Sequence, residues 1–88
     1  MNVDNGTISS AKVYVDVDVH FCKDGRLIPK AIIWEDGRRY EIDKVTQVAK
    51  RASMKAGGCG IRYTCIVQGQ QSYLFYEVDK WFVERKTA

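Results

Sequence analysis

The residue types that most directly suggest chemistry are one histidine and three cysteines. His20 and Cys22 are two positions apart, so on a β-strand their side chains project from the same face. With Cys59 and Cys65 they would provide the four nitrogen and sulfur ligands of a tetrahedral zinc site. However, the sequence contains no Cys-x-x-Cys pair, and a glycine loop and a strand-like run separate the last two cysteines. We therefore expect buried thiols beside a surface histidine, with no metal and no cofactor.

A cysteine nucleophile and a carboxylate pair are the two catalytic arrangements that the sequence offers. Cys59 lies among glycines and near basic residues that favour a thiolate, and His20 would have to act as its base. Spacing assigns no third group that would orient this pair. Asp16 and Asp18 share the strand face of His20, but they alternate with valines, as residues on a solvated strand surface do. We therefore expect a protein without enzymatic activity.

The distribution of charge is more informative than the net charge of +3. No aspartate or glutamate occurs between Lys44 and Tyr76, although this stretch is rich in lysine, arginine and tyrosine. Small barrels bind single-stranded nucleic acid by combining basic loops with an aromatic sheet face. The alternative is that the rings fill the core and the cations only solvate a loop. The residues predicted to form a nucleic-acid interface are Lys50, Arg51, Lys55, Arg62, Tyr63 and Tyr76.

Alternating side chains over residues 12–22 give the strongest structural signal in the chain. Apolar residues occupy one face and polar residues the other, which predicts a strand buried on one side. Residues 23–25 supply a glycine turn, and a second strand is predicted over residues 28–35, with Pro29 at its entry or on an edge. Residues 35–38 then predict a tight Asp-Gly hairpin turn.

The third predicted strand begins at Arg38, and its apolar phase slips by one residue between Ile42 and Val45. Such a slip indicates a β-bulge, which bends a strand and helps a small sheet to close. Residues 44–56 are compatible with two structures. Their β-branched residues favour a strand to about Arg51 followed by a mobile loop through Gly60. The spacing of Val45, Val48 and the alanines of this stretch permits a short helix instead.

The last third of the sequence alternates apolar and polar residues in three further short runs. These predicted strands are residues 61–67, 72–78 and 81–86. The whole pattern predicts an all-β protein with at most one short helix, a small antiparallel SH3-like or half-open barrel of roughly five to six strands. Residues 1–10 are expected to be a loose leader, and residues 11–88 a single small β-barrel domain.

Length and composition restrict the class of protein. The 88 residues, 45% of them hydrophobic, suit one small globular domain. No apolar run approaches the roughly 20 residues of a membrane span, and the N-terminus lacks the apolar region of a signal peptide. The three cysteines cannot all pair within one chain. We therefore expect reduced thiols, a cytoplasmic location and no membrane partner.

Several short motifs carry a family resemblance. They are Pro29, Ile33-Trp34, Gly37-Arg38-Arg39-Tyr40, Ile42 and Val45, followed by Arg62-Tyr63-Thr64, Leu74-Phe75-Tyr76 and Trp81-Phe82-Val83. Over about residues 13–86 this pattern resembles a family of small uncharacterised bacterial proteins, whose relatives are often encoded beside lesion-bypass (Y-family) DNA polymerases. The resemblance implies an accessory role in DNA repair, with no known enzymatic activity and no catalytic residues to carry over.

Two functions follow from these observations. The first is a non-enzymatic binding module of DNA repair or lesion bypass, with single-stranded DNA or a DNA polymerase as its partner. The second is a protein–protein adaptor that docks a larger enzyme through a sheet edge or a Trp/Tyr patch, with no nucleic-acid contact. The residues predicted for that docking face are Trp34, Arg38 and Arg39.

Overall fold

The protein forms a closed barrel of antiparallel strands in which each strand neighbours the next one along the chain. The computed structural model describes residues 9–53 and 58–87, and the side chains of residues 12–50 and 60–84. The strands are β1 (Ser9–Phe21), β2 (Leu27–Ile33), β3 (Arg39–Ser53), β4 (Gly58–Val67), β5 (Gln70–Glu77) and β6 (Lys80–Thr87). Pairing of β6 with β1 closes the ring. This confirms the prediction of a small all-β barrel.

Residues 44–56 were compatible with two structures, and β3 continues there as a strand through Ser53. Because β4 begins at Gly58, both ends of the loop predicted from about Arg51 through Gly60 are strand instead. Within the described ranges the chain contains no helix, so the helical alternative is wrong up to Ser53. β1 begins at Ser9, inside the stretch predicted as a loose leader. The remainder of that leader, residues 1–8, lies outside the described residues. None of the described residues belongs to a helix long and apolar enough to span a membrane.

The predicted bulge in β3 is confirmed, and a second one follows it. The register of β3 against β4 shifts between Ile42 and Lys44, and again between Val45 and Gln47. Each bulge inserts one unpaired residue, which bends the strand and increases its twist. The slip in apolar phase that is visible in the sequence therefore corresponds to a real bend.

The β2–β3 hairpin shows why its turn needs glycine. Trp34 donates to the carbonyl of Arg38 at 2.8 Å and accepts from Gly37 at 2.8 Å, so the chain reverses within a few residues. Gly37 has φ of +89°, a conformation that residues with a side chain rarely adopt. Asp36 Oδ1 also accepts from the backbone N–H of Arg38 at 2.9 Å, which fixes the turn.

The interior of the barrel is filled by alternate residues of its strands. Ile32, Tyr63, Cys65 and Leu74 form the buried cluster, and none is more than 6% exposed. Partly buried residues that pack against this cluster are Val15, Val17, Trp34, Ile42, Val45, Ile61, Val67, Tyr76, Trp81 and Val83. These are the inward positions of a two-residue period, as the alternation of the sequence predicts.

The opposite face of the sheet carries a second set of packed rings. Phe82 stacks on Phe75 with ring centroids 5.1 Å apart, and Tyr14 meets Phe82 edge-on at 5.7 Å. Phe75 and Phe82 are as buried as the interior, at 4% and 2% exposure. The Lys12 ammonium lies 4.6 Å from the centroid of Phe82. We call Tyr14, Phe82 and Phe75 the outer aromatic ladder.

We expect replacement of Val78 by asparagine to stabilise the barrel by about 1 kcal/mol. Val78 occupies the turn between β5 and β6 with φ of +50°, which crowds a β-branched side chain. Its side chain is 65% exposed, so little packing is lost on substitution. Asparagine tolerates this region of φ well. Urea unfolding should show a higher midpoint at an unchanged m-value.

The matched control for this substitution is Gln68→Asn. Gln68 has φ of +52° in the turn between β4 and β5, but its side chain is not β-branched. Relief of strain should therefore be smaller there than at Val78. Equal shifts of the two midpoints would show that branching at this turn position carries no cost.

Candidate functional site

The basic residues predicted to form one nucleic-acid surface do not share a face where the structure describes them. Lys50 is paired with Ile61, and Arg62 with Ala49, so the two cations project from opposite faces of the β3–β4 ribbon. Arg51 pairs with Gly60, and its side chain is outside the described set. Lys55 lies outside the described residues altogether.

The two tyrosines predicted for base stacking lie inside the barrel. Tyr63 is 3% exposed, its ring is 5.4 Å from that of Trp81, and its hydroxyl donates to the carbonyl of Leu27 at 2.7 Å. Tyr76 is half-buried, with its ring 4.7 Å from Trp81 and its hydroxyl donating to Asp79 at 3.2 Å. Burial raises the pKa of both phenols. The buried ring of Tyr63 therefore offers no open face for a base, and the ring of Tyr76 packs against Trp81.

Arg62 instead contacts an exposed ring on the outer face of the sheet. Its guanidinium carbon lies 5.1 Å from the ring centroid of Tyr73, which is 45% exposed. The Arg62 Nε atom is buried and has no hydrogen-bond partner. This cation is therefore directed along the sheet surface and away from Lys50.

The residues predicted for protein docking are held by contacts within the chain. Trp34 packs against the core cluster. Arg38 is 3.5 Å from Asp36, and Arg39 bridges Asp18 and Glu41. Hydrogen bonding, first to Tyr40 for Arg38 and to Asp18 for Arg39, raises the pKa of both guanidinium groups. The arginines of this hairpin thus have their charges compensated.

A groove of about 520 Å³ lies beside this hairpin. The residues that line it are Ile32, Trp34, Tyr40, Val67, Gln71, Ser72, Tyr73, Val83 and Glu84. It has one charged lining residue, Glu84, and no cation. Its charge therefore gives no reason to expect an acidic partner there.

The thiols and the histidine do not form a metal centre among the side chains that the structure describes. These contain no group of three or more His, Cys, Asp or Glu residues placed to hold an ion. His20 is exposed near the end of β1, Cys22 is half-buried, and Cys65 is fully buried in the barrel. The side chain of Cys59 lies outside the described set. The Cys65 thiol donates to the carbonyl of Tyr63 at 3.7 Å, as a protonated thiol does.

We expect the barrel to lose stability as the pH rises between about 9 and 11. Burial raises the pKa of the Cys65 thiol from 9.0 to about 11. The unfolded chain therefore loses this proton first, so the contribution is complete below pH 9.0 and lost as the pH approaches 11. The raised pKa values of Tyr63 and Tyr76 act in the same direction. Urea unfolding across this pH range measures the slope.

Cys65→Ala is the control, because it removes the thiol and leaves the two tyrosines. Its free energy of unfolding should fall less steeply with pH than that of the wild type, whatever its stability at neutral pH. Identical slopes for the two proteins would mean that the thiol ionises alike in the folded and unfolded chain.

A cleft of about 840 Å³ lies between β2 and β3. We call it the β2–β3 cleft. Residues from the β1–β2 turn, the first half of β2, β3 and β4 line it: Asp24, Gly25, Arg26, Leu27, Ile28, Pro29, Lys30, Ile42, Asp43, Lys44, Val45, Val48, Lys50, Ile61 and Tyr63. Its centre is apolar and its border carries the charges.

The cleft exists because the ladder between β2 and β3 stops early. Only three residue pairs join these strands, and the last is Ala31 with Glu41. Beyond that point β3 bends at its two bulges and pairs only with β4, while residues 27–29 of β2 pair only with β1. Pro29, which has no backbone N–H, lies in the separated part of β2. Two strand edges therefore face each other without pairing.

One side chain crosses this gap. The Tyr63 hydroxyl, which originates on β4, reaches the carbonyl of Leu27 on β2 at 2.7 Å. The bond holds the separated part of β2 to the floor of the cleft and satisfies one acceptor of its open edge. It also explains why a tyrosine, and not phenylalanine, occupies this buried position.

The border of the cleft is predominantly basic. It carries Arg26 and three lysines against Asp24 and Asp43. Asp24 pairs with Arg26 at 2.9 Å, and that neighbour lowers the pKa of the carboxyl, first through the Arg26 backbone N–H. Asp43 accepts from the backbone N–H of Gly69 at 3.4 Å. The lysines that remain are Lys30, Lys44 and Lys50.

Sequence reasoning identified Lys50 as a binding residue but did not identify the cleft around it. Two signals were present: Pro29 in a strand otherwise suited to central pairing, and the phase slip after Ile42. Together they indicate that β2 and β3 separate. Lys30 and Lys44 flank those same two points, so a search for basic residues at an interrupted ladder would have found them.

The chain matches no protein-family model, and no curated protein or solved structure is significantly similar to it.

Proposed function

We propose that this protein is a non-enzymatic adaptor that binds a segment of a partner protein in the β2–β3 cleft. The first support is the open edge of β3, which has no strand partner on the β2 side beyond Glu41 among the described residues. Exposed strand edges are recognised by extended segments through backbone hydrogen bonds.

The observation that carries the proposal is the coincidence of this edge with an apolar floor. Val45, Val48 and Ile61 line the cleft directly beside the unpaired backbone of β3. Val48 lines this cleft and is nevertheless 58% exposed. An extended chain laid here would gain backbone pairing and cover exposed apolar surface at once.

The partner is expected among proteins of a reducing compartment. Cys22 and Cys65 are free thiols, which suits a cytoplasmic adaptor. The sequence resemblance to proteins encoded beside lesion-bypass DNA polymerases makes such a polymerase a candidate partner. Docking of a larger enzyme through an open sheet edge would fit that role without catalysis by the barrel itself.

Selection from a displayed library of random peptides tests the proposal. Selected peptides should perturb amide resonances of residues 43–50 and of residues 27–30 in the isotope-labelled protein. Perturbations confined to other strands would overturn the assignment of the site.

A matched pair of valines provides the control. Val48→Asp should abolish peptide binding, since it places a carboxylate on the apolar floor. Val78→Asp should leave binding intact, because Val78 is similarly exposed, at 65%, but lies in the turn between β5 and β6 and does not line the cleft. Equal affinities of the two variants would exclude the cleft as the binding site.

Single-stranded nucleic acid is the second candidate, and the basic border of the cleft is the observation that favours it. Lys30, Lys44 and Lys50 would attract phosphates as readily as carboxylates. A labelled oligothymidine should then bind at low salt, with an affinity that falls steeply as salt increases. Absence of binding at low salt removes this candidate.

A further inference from the structure

We propose that the occupant of the β2–β3 cleft is an extended acidic peptide that adds to β3 as an antiparallel strand. This inference rests on the proposed adaptor function and specifies the chemistry of the partner. The backbone of β3, the apolar floor and the three border lysines would each contact this peptide.

The open edge of β3 is better suited to pairing than the open edge of β2. Residues 43–50 of β3 include no proline, so every residue retains a backbone N–H. On β2, Pro29 lacks this donor and the carbonyl of Leu27 already accepts from Tyr63. A strand entering the gap would therefore form its ladder with β3. The added strand would be antiparallel to β3, as β2 is where it pairs with residues 39–41 of β3.

The floor of the cleft determines the side-chain pattern of the peptide. Val45 and Val48 project toward the same interior face as Cys65 and Tyr63, their partners on β4. Alternate residues of an added strand point to the same face of the sheet. The peptide should therefore carry apolar residues at every second position, facing these valines. Residues 44–50 of β3 set its paired length at about seven residues.

The border lysines determine the charge of the peptide. Lys30, Lys44 and Lys50 have no carboxylate within 4.0 Å among the side chains that the structure describes. By contrast, Arg26, Arg38 and Arg39 each pair with a carboxylate of this chain. Three lysines without a carboxylate partner therefore line the cleft. Lys44, paired with Ile66, projects from the face opposite to the valines, where acidic residues at the alternate positions of the peptide would lie. Lys50, paired with Ile61, shares the face of Val48, so it would attract these acidic residues from the end of the paired segment.

The same cleft is poorly suited to bases. The one aromatic residue that lines it is Tyr63, whose ring is 3% exposed and whose hydroxyl is occupied by Leu27. Sequence-independent binding of single strands depends on rings that are open to stacking. The aliphatic floor instead matches the side chains of an extended polypeptide.

Binding of a synthetic peptide tests this inference. The probe is a fluorescein-labelled peptide of about nine residues in which valine alternates with glutamate between Gly-Ser ends. We expect fluorescence anisotropy to report saturable binding that weakens with salt. Methylation of alternate backbone nitrogens should reduce affinity at least about tenfold if strand pairing carries the complex. A lysine–valine peptide of the same length should not bind.

Charge exchange on β3 provides the decisive comparison. The double variant Lys44→Glu/Lys50→Glu should bind the glutamate–valine peptide at least about tenfold more weakly than the wild type. It should also gain affinity for the lysine–valine peptide. Lys80→Glu should change neither affinity, because Lys80 lies over the ring of Tyr14, outside the cleft. Circular dichroism of each variant verifies that the barrel is intact.

The outcomes separate the inference from the function on which it rests. Library peptides that bind in a Val48-dependent manner without acidic residues would overturn the acidic partner and retain the adaptor. If no peptide binds at the cleft, both the acidic partner and the adaptor function would be overturned. Binding of oligothymidine that depends on Lys44 and Lys50, with no peptide binding, would assign the cleft to nucleic acid.

Discussion

Replacement of Phe82 by alanine is expected to lower the free energy of unfolding by about 3–5 kcal/mol. A domain of this size is stable by only about 5–10 kcal/mol, so the variant should be largely unfolded on modest heating. The reason is that Phe82 is 2% exposed and lies between Tyr14 and Phe75 in the outer aromatic ladder. Thermal unfolding followed by circular dichroism would measure the effect.

The ladder also supplies the control for this prediction. Tyr14→Ala removes a ring of the same stack that is 56% exposed, and should cost about 1 kcal/mol. Phe82→Leu, which keeps most of the apolar volume, should fall between the two alanine variants. If Phe82→Ala cost no more than Tyr14→Ala, the outer ladder would not be a second core of the barrel.

Replacement of Gly60 by alanine is expected to destabilise the protein by about 1–3 kcal/mol. A Cβ atom at this position would lie 2.5 Å from Cγ of Glu77, far inside van der Waals contact. Glu77 cannot move freely, because its carboxylate is 3.5 Å from the Lys12 ammonium and its side chain is 17% exposed. Alanine should therefore displace Glu77 and with it the cation over Phe82. Urea unfolding reports the loss.

A double-mutant cycle distinguishes this collision from a general effect of alanine in β4. Glu77→Ala removes the side chain that the new Cβ would meet, so Gly60→Ala should cost much less in that background. The coupling energy between the two positions should exceed about 0.5 kcal/mol. Additive effects would show that the close approach of Glu77 is not what requires glycine.

The strands and turns could be predicted from the sequence because their signals are local. The valines of β1 alternate without interruption, and the Asp36-Gly37 pair specifies a tight turn. Even the bulge after Ile42 is visible as a shift of apolar phase. Each of these features depends on neighbours in the sequence, so no knowledge of the tertiary arrangement is needed.

The candidate site could not be predicted in the same way, because it depends on which strands separate. Lys50 and Arg62 are close in the hairpin sequence, yet their register on β3 and β4 places them on opposite faces. The sequence around Tyr63 suggests an exposed ring beside basic residues, but in the closed barrel this ring points inward. Phe75 and Phe82 occupy positions of the polar face and are nevertheless buried. Register and closure are long-range properties that composition does not encode.

Strand order has a kinetic consequence for how the chain reaches this structure. Five of the six strand pairings join neighbours in sequence, whereas β1 and β6 bring Val15 to Trp81 and Ser9 to Thr87. Joining such distant segments costs roughly 2 kcal/mol more loop-closure entropy than joining a hairpin. We therefore expect the hairpins between neighbouring strands to form first and the β1–β6 pairing to form last.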